Sequence, residues 1–241
     1  MIIVRHLLII ASTMLITACF PAKEITPENA ESILAATSRI NEVSNKTAEG
    51  FSSSQINNLS LQRILTSSAR TLTGKCYKDQ GNYLFSQSEE NDFSMAFDSC
   101  AGADNGKVDG TLNGTFSQTG DLYEVNATGD LVATKNSNVI TFKPIELTLR
   151  FNASEADLSI SIEHGGIYGF NTRLYKGDIT VETLEAVGFD FNTQTVSGIV
   201  TYTDASGNTL KVEHDNNGVH LSLNNTFVNS YSHSEWIQKF N

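Results

Sequence analysis

The stretch VITFKPIELTLRF, residues 139–151, decides the fold class of this chain. Apolar and polar residues alternate on both sides of Pro144, which is the pattern of a strand with one buried face. The alternation changes phase there, from Ile140 and Phe142 to Ile145. Proline cannot donate a hydrogen bond to a sheet, so we expect either an edge position or a β-bulge at Pro144.

The same alternation continues through residues 71–241, where turns rich in Gly, Asn and Asp recur about every 8 to 14 residues. DASGN (204–208) and DNNG (215–218) stand between alternating runs and predict hairpin loops, and HGG (164–166) predicts another turn. The closing residues predict a short helical turn that docks Trp236 on the sheet. The expected fold is mainly β, an antiparallel meander that forms a barrel, a half-barrel or a sandwich.

Residues 26–70 predict two N-terminal α-helices ahead of this β domain. The first begins with Thr26 as a cap and Pro27 at the first helical position. The second is SQINNLSLQRILTSSAR, residues 54–70, in which apolar residues recur at helical spacing. Neither has the Lys- and Arg-rich face of a helix that lies on a membrane, so we expect both to pack on the β domain.

The first 18 residues have the organisation of a secretory signal peptide. Arg5 supplies a positive charge, and an apolar run then extends over residues 7–16. This run is shorter than the roughly 20 apolar residues that a membrane-spanning helix needs. We therefore expect cleavage of the leader rather than a transmembrane anchor.

The end of the leader, Leu15-Ile16-Thr17-Ala18-Cys19, resembles the lipobox of bacterial lipoproteins. The resemblance implies that Cys19 receives a diacylglycerol thioether, becomes the new N-terminus and is acylated on its amine. Two or more acyl chains give stable membrane anchoring. The next residue is Phe20 rather than aspartate, which in Gram-negative lipoproteins implies sorting to the outer membrane. Residues 19–25 would then be a short lipidated tether.

Three further stretches carry a second resemblance. ITPENAESILAAT (25–37), FDSC (97–100) and VDGTLNGTF (108–116) resemble a group of uncharacterised Gram-negative envelope lipoproteins with β-rich bodies. The resemblance implies an N-terminal helix followed by glycine-punctuated strands. It implies no activity.

Two cysteines remain once Cys19 is lipidated, Cys76 and Cys100. An exported chain meets an oxidising compartment, so this even remainder predicts a disulfide. The bond would close a loop of about 25 residues and stabilise the fold by about 3 kcal/mol in the chain-entropy model. Paired metal-binding thiolates are the less favoured alternative, because C-x-x-C spacing is absent and no histidine lies between the two residues.

Composition excludes some functions and leaves others open. The formal net charge of −11 argues against nucleic acid as a partner and against flat binding to anionic lipid. The chain has no H-E-x-x-H, G-x-S-x-G or P-loop motif, and residues 102–110 fail the pattern of a calcium loop. We therefore predict no catalytic, cofactor-binding or metal-ligating residue, including the hairpin residues His214 and His220.

These observations favour a non-enzymatic binding or scaffolding module, anchored to the outer membrane and facing either the periplasm or the cell surface. Its partner would be an unidentified envelope protein. One alternative is a carrier that holds an apolar ligand in a half-barrel. Another is a hydrolase whose carboxylates are brought together only by folding. An apolar cavity, a pair of facing carboxylates or an exposed apolar patch would discriminate among the three.

Overall fold

The structure, a computed structural model, describes residues 21–37, 70–88, 91–101, 106–154, 158–190, 192–193 and 195–240. Helix α1 spans Pro27–Thr37, a short 3₁₀ helix spans Tyr77–Asp79 and helix α2 spans His233–Phe240. The strands are β1 Arg70–Lys75, β2 Asn82–Gln87, β3 Asp92–Ala101, β4 Lys107–Thr119, β5 Leu122–Lys135, β6 Asn138–Ala153, β7 Leu158–Asn171, β8 Lys176–Asp190, β9 Thr195–Asp204, β10 Thr209–Asp215, β11 Gly218–Leu223 and β12 Thr226–Tyr231. The predicted signal peptide, Cys19 and almost all of the predicted second helix lie outside the described residues.

The twelve strands form one antiparallel sheet in which strand order follows chain order. This confirms the predicted meander of a mainly β domain. Within the described strands β1 pairs only with β2, and β12 pairs only with β11, so the sheet is not closed into a barrel. The barrel alternative is therefore wrong, because closure requires the first and last strands to pair. The strands also belong to one continuous sheet rather than to two.

A β-bulge at Pro144 confirms the change of phase seen in the sequence. The pairing of β6 with β7 shifts register between Phe142 and Ile145. Since β6 has a paired strand on each side, the bulge and not an edge position accommodates the proline. The β7–β8 pairing shifts between Ile162 and Gly166, and the β8–β9 pairing is irregular at the same level. The β5–β6 pairing shifts at this level too, between Gly129 and Leu131, so five neighbouring strands share one irregular zone.

The HGG segment is not a turn, which corrects the prediction from sequence. His164 and both glycines lie inside the continuous strand β7, within this irregular zone. Gly166 has a φ of +120°, and a Cβ atom there would lie 1.9 Å from the carbonyl oxygen of Pro144. The glycines therefore permit a bulge and a close approach of two backbones, which is a second use of glycine in strands.

One face of the sheet, the inner face, carries the core and both described helices. Alternate residues of each strand point to it, as period-two patterning requires. Helix α1 buries Ile33 and Leu34 there, and α2 buries Phe240. Each of these side chains contributes about 1.5–3 kcal/mol of hydrophobic stabilisation. Fully buried core residues include Met95, Leu112, Leu131, Phe142, Ile145, Tyr168, Ile179, Leu210 and Leu221.

Residues 21–25, predicted as a tether, are bound to one end of the sheet. The backbone N–H of Ala22 donates to the carbonyl of Leu174, 3.1 Å away, and the carbonyl of Ala22 accepts from Lys176 at 2.8 Å. The N–H of Ile25 donates to Oδ2 of Asp204 at 2.7 Å. We call this the anchor end, where β7 ends and β8 begins. The distal end is the opposite one, where β6 ends and β7 begins.

A polar network joins the two helices at the edge of the sheet. Nζ of Lys239 lies 2.6 Å from Oε2 of Glu31, and Nδ2 of Asn229 donates to Oε1 of the same carboxylate at 3.0 Å. The hydroxyl of Tyr231 also donates to Glu31. Hydrogen bonds from Lys239 and Tyr231 lower the pKa of the Glu31 carboxyl. The network therefore holds α1 of the N-terminal region against the C-terminal α2.

The predicted disulfide is present in the structure. Cys76, which follows β1, is bonded to Cys100 in β3, and their Cα atoms lie 5.3 Å apart. The bond ties the first strand of the sheet to the third. No helix in the described part of the chain is long and apolar enough to cross a membrane.

Candidate functional site

Two rows of apolar side chains cross the inner face near its distal end. Strand pairing places one member of each row on each successive strand, at matching positions. The first row comprises Phe116, Val125, Leu149, Ile162 and Val187. The second row comprises Tyr123, Phe151, Ile160, Phe189 and Val196. Together they form a continuous apolar surface over strands β4 to β9.

Exposure increases along the first row, and every member of the second row is partly exposed. Phe116 and Val125 are both 7% exposed, whereas the members on β6, β7 and β8 are partly exposed to solvent. The buried cluster beside Leu149 and Ile162 contains no residue of α1 or α2, whereas Val187 packs against the cluster to which both helices belong. The members on β6, β7 and β8, which we call the inner strip, are Leu149, Phe151, Ile160, Ile162, Val187 and Phe189.

His164 lies at the deep end of the inner strip. It occupies the next inward position after Ile162 on β7 and pairs with Leu147 of β6. Its Nδ1 lies 3.1 Å from the hydroxyl of Tyr168, and the two rings stack with centroids 6.4 Å apart. The ring of Tyr202 is also 6.4 Å away. One histidine and two tyrosines therefore form a polar group within an apolar face.

The irregular zone of the sheet positions His164. A bulge interrupts the regular exchange of backbone hydrogen bonds between β7 and β8. The hydroxyl of Thr183 compensates, because it accepts from the N–H of His164 at 2.9 Å and donates to its carbonyl at 2.7 Å. Both backbone groups of His164 are thus satisfied by a single side chain, which fixes the residue in place.

Burial keeps this polar group uncharged near neutral pH. Desolvation lowers the pKa of His164 to about 4. Desolvation also raises the pKa of Tyr168 well above its usual value, and raises that of Tyr202 to about 12 despite an opposing hydrogen bond with Thr37 of α1. The group can therefore donate and accept hydrogen bonds, but it presents no charge to an ion.

A carboxylate pair does occur, on the opposite face of the sheet. Glu124 and Glu163 both bind Arg150, whose Nε donates to Oε2 of Glu124 at 2.7 Å and whose Nη1 donates to Glu163. Hydrogen bonds from Asn126 and then Arg150 lower the pKa of Glu124. A glycosidase-type mechanism needs one carboxylic acid that stays protonated, and the lowered pKa of Glu124 opposes that role.

The three histidines near the C-terminus, His214, His220 and His233, each contact a neighbouring protein group. His220 lies 3.3 Å from a carboxylate oxygen of Asp215, and Nε2 of His233 lies 2.8 Å from the backbone carbonyl of Asp215. His214 packs edge-to-face on Trp236, with ring centroids 5.6 Å apart. Within the described residues no three His, Cys, Asp or Glu side chains are grouped so that they could hold a metal ion.

Sequence reasoning missed His164, although a signal for it was present. Ile160, Ile162 and His164 share one phase of the alternation, which places the histidine on the apolar face. Reading the following glycines as a turn concealed that continuity. Of the predicted site residues, Cys76 and Cys100 are joined to each other, and Cys19 lies outside the described residues.

No protein-family model matches the chain, and no curated protein or solved structure matches it significantly. The geometry of the inner face is therefore the basis on which we infer a function. The lipobox resemblance of the leader remains a prediction.

Proposed function

We propose that this chain is an outer-membrane lipoprotein, anchored through Cys19, that binds a small apolar ligand on the inner strip without catalysing a reaction. The inner strip is the observation that carries the proposal. Most other inward residues in the described part of the chain are buried in the two core clusters, one of which includes residues of both helices. Six apolar side chains that stay partly exposed on this face leave a surface for an apolar ligand to cover.

The size of the inner strip favours a small molecule over a protein. From Ile160 to His164 the strip extends about 13 Å along β7, and it crosses three strands, which adds about 10 Å. Its area is on the order of 100–200 Å². A stable protein interface buries about 800 Å² on each partner. An acyl chain fits this surface, and the envelope protein expected from composition does not.

The position of the inner strip supports the role of a carrier. Residues 21–25 are bound at the anchor end, whereas the strip lies near the distal end. Strand β7 separates these ends by about 40 Å. An acidic protein is repelled by anionic headgroups, so the distal end would extend away from the membrane. A ligand there can exchange with the aqueous compartment or with another protein.

Photolabelling of the full chain in phosphatidylcholine nanodiscs tests this proposal. The probe is monodecanoylglycerol with a diazirine at the end of its acyl chain. Ile162→Asp places a charge in the inner strip, so we expect labelling of the protein to fall at least fivefold. Ile167→Asp is the matched control, because Ile167 is 48% exposed on the outer face of the same strand. Equal labelling of the two variants would contradict the proposal, as would absence of labelling in the wild type.

A further inference from the structure

The inner strip ends at a polar residue where its pattern would place another apolar one. On β7 the inward positions run Ile160, Ile162, His164. A polar side chain on an apolar face is costly unless its hydrogen-bonding groups find partners. The partners of the two ring nitrogens of His164 therefore indicate which chemical group of a ligand the site would bind.

The hydrogen-bond network assigns the tautomer of His164. A neutral imidazole carries one proton, either on Nδ1 or on Nε2. The hydroxyl of Tyr168 contacts Nδ1, and in the described part of the chain this hydroxyl has no other acceptor. If Nδ1 carried the proton, the hydrogen of Tyr168 would be left without a partner. Tyr168 therefore donates to Nδ1, and the imidazole proton is on Nε2.

Nε2 of His164 is consequently a donor that lacks an acceptor among the described residues. His164 is only partly exposed, and donors withdrawn from solvent in native proteins nearly always have a partner. A polar group on a molecule that occupies the inner strip would lie next to this nitrogen, because His164 and Ile162 are adjacent inward positions of one strand. Such a group must accept a hydrogen bond.

We propose that the ligand is an acyl ester or amide whose uncharged carbonyl oxygen accepts a hydrogen bond from Nε2 of His164. This inference rests on the proposed function of the inner strip. In the described part of the chain the polar contacts of His164 are Tyr168, Tyr202 and Thr183, none of which carries a positive charge near neutral pH. The nearby Glu146, which acts on Tyr168, is a carboxylate. An ionised carboxylate would lose its hydration there without gaining a cation. The site therefore selects a neutral lipid of the monoacylglycerol type over a free fatty acid.

Three probes with the same ten-carbon chain and the same diazirine test this selection, in the full chain in nanodiscs at pH 7.5. They are monodecanoylglycerol, decanoate and decane. One net hydrogen bond corresponds to about a fivefold to tenfold difference in affinity. We expect monodecanoylglycerol to label the inner strip at concentrations fivefold to tenfold lower than the other two probes need. Equal affinities, or tighter binding of decanoate, would overturn the inference.

Substitution of His164 identifies the donor. His164→Phe should abolish the preference for the ester over decane, and His164→Gln, which keeps a donor, should restore part of the preference. Tyr168→Phe is a second route, because the ring can then change tautomer and the preference should fall. If circular dichroism shows that His164→Phe does not fold, the Tyr168→Phe variant tests whether His164 is the donor. A preference that persists in either folded Phe variant would contradict the role of His164.

The outcomes separate the two proposals. If no probe labels the inner strip, the proposed function is wrong. If all three probes label it equally, the apolar site stands and only the assignment of an ester or amide is wrong.

Discussion

At the scale of single residues, His214 couples the stability of the protein to pH. Its ring packs against Trp236 of α2, and desolvation, assisted by the nearby His233, lowers its pKa from 6.5 to about 4. In the unfolded chain His214 is protonated below about pH 6.5, whereas in the folded chain it is protonated only below about pH 4. The stabilisation from neutral His214 is complete above pH 6.5 and is lost as the pH falls through this window.

We predict that His214→Gln flattens the dependence of the unfolding free energy on pH between 6.5 and 4. The wild type should lose about 1–3 kcal/mol more than the variant over this range, the lower values reflecting partial exposure of the ring. Urea denaturation followed by tryptophan fluorescence at several pH values measures the difference. Parallel curves for the two proteins would show that His214 does not control this stability.

The disulfide gives a second prediction at this scale. Replacing Cys76 and Cys100 by serine opens a cross-link between residues 24 positions apart. The unfolding free energy should fall by about 3 kcal/mol, because the unfolded chain gains freedom. Thiol titration of the unfolded, non-reduced wild type provides the check on the bond itself, since this pair should supply no free thiol. Detection of two free thiols would exclude the bond.

At the scale of elements, local sequence patterns located most strands but not the reason for their irregularities. The bulge at Pro144 was predictable, because the apolar alternation changes phase there and proline lacks a backbone N–H donor. The bulge at the HGG segment was not predictable, because glycine is common in both turns and bulges. Only the pairing of β7 with β6 decides between the two. Thr183, whose hydroxyl fixes His164, could be identified only once the strands were aligned.

Gly166 tests this account of the irregular zone. We predict that Gly166→Ala lowers the unfolding free energy by about 2–4 kcal/mol, since the new Cβ would meet the carbonyl oxygen of Pro144 and the backbone has a positive φ. Gly165→Ala is the matched control, because the nearest atom to its Cβ would be 3.3 Å away. The control should lose less than about 1 kcal/mol. Equal losses in thermal or chemical denaturation would argue against the close backbone approach.

At the scale of the whole molecule, the meander was predictable and its open shape was not. Alternation and turns fix each strand and its neighbour, because these contacts are local in sequence. Closure depends on whether β1 and β12 pair, and no local pattern encodes contact between residues so far apart. The packing of α1 and α2 on the inner face also depends on contacts between residues that are far apart in sequence. The partly exposed inner strip could therefore be recognised only in the structure.

The membrane anchor is also a property of the whole molecule. We predict that Cys19→Ser releases the protein from membranes or leaves an unprocessed precursor, because the acylated residue is lost. Fractionation and labelling with radioactive palmitate compare this variant with the wild type. The Cys76→Ser, Cys100→Ser double variant is the control, and its labelling should match that of the wild type. Palmitate labelling that persists in Cys19→Ser would contradict lipidation at this residue.

The location of the bound ligand is the central claim, and mapping the photolabel measures it most directly. The wild-type chain in nanodiscs is labelled with the monodecanoylglycerol diazirine, digested and sequenced by mass spectrometry. We expect the label to be concentrated on the inner strip, in residues 149–151, 160–162 and 187–189. Label found mainly on outer-face residues such as Ile167 and Leu184, or spread evenly over the sheet, would contradict it.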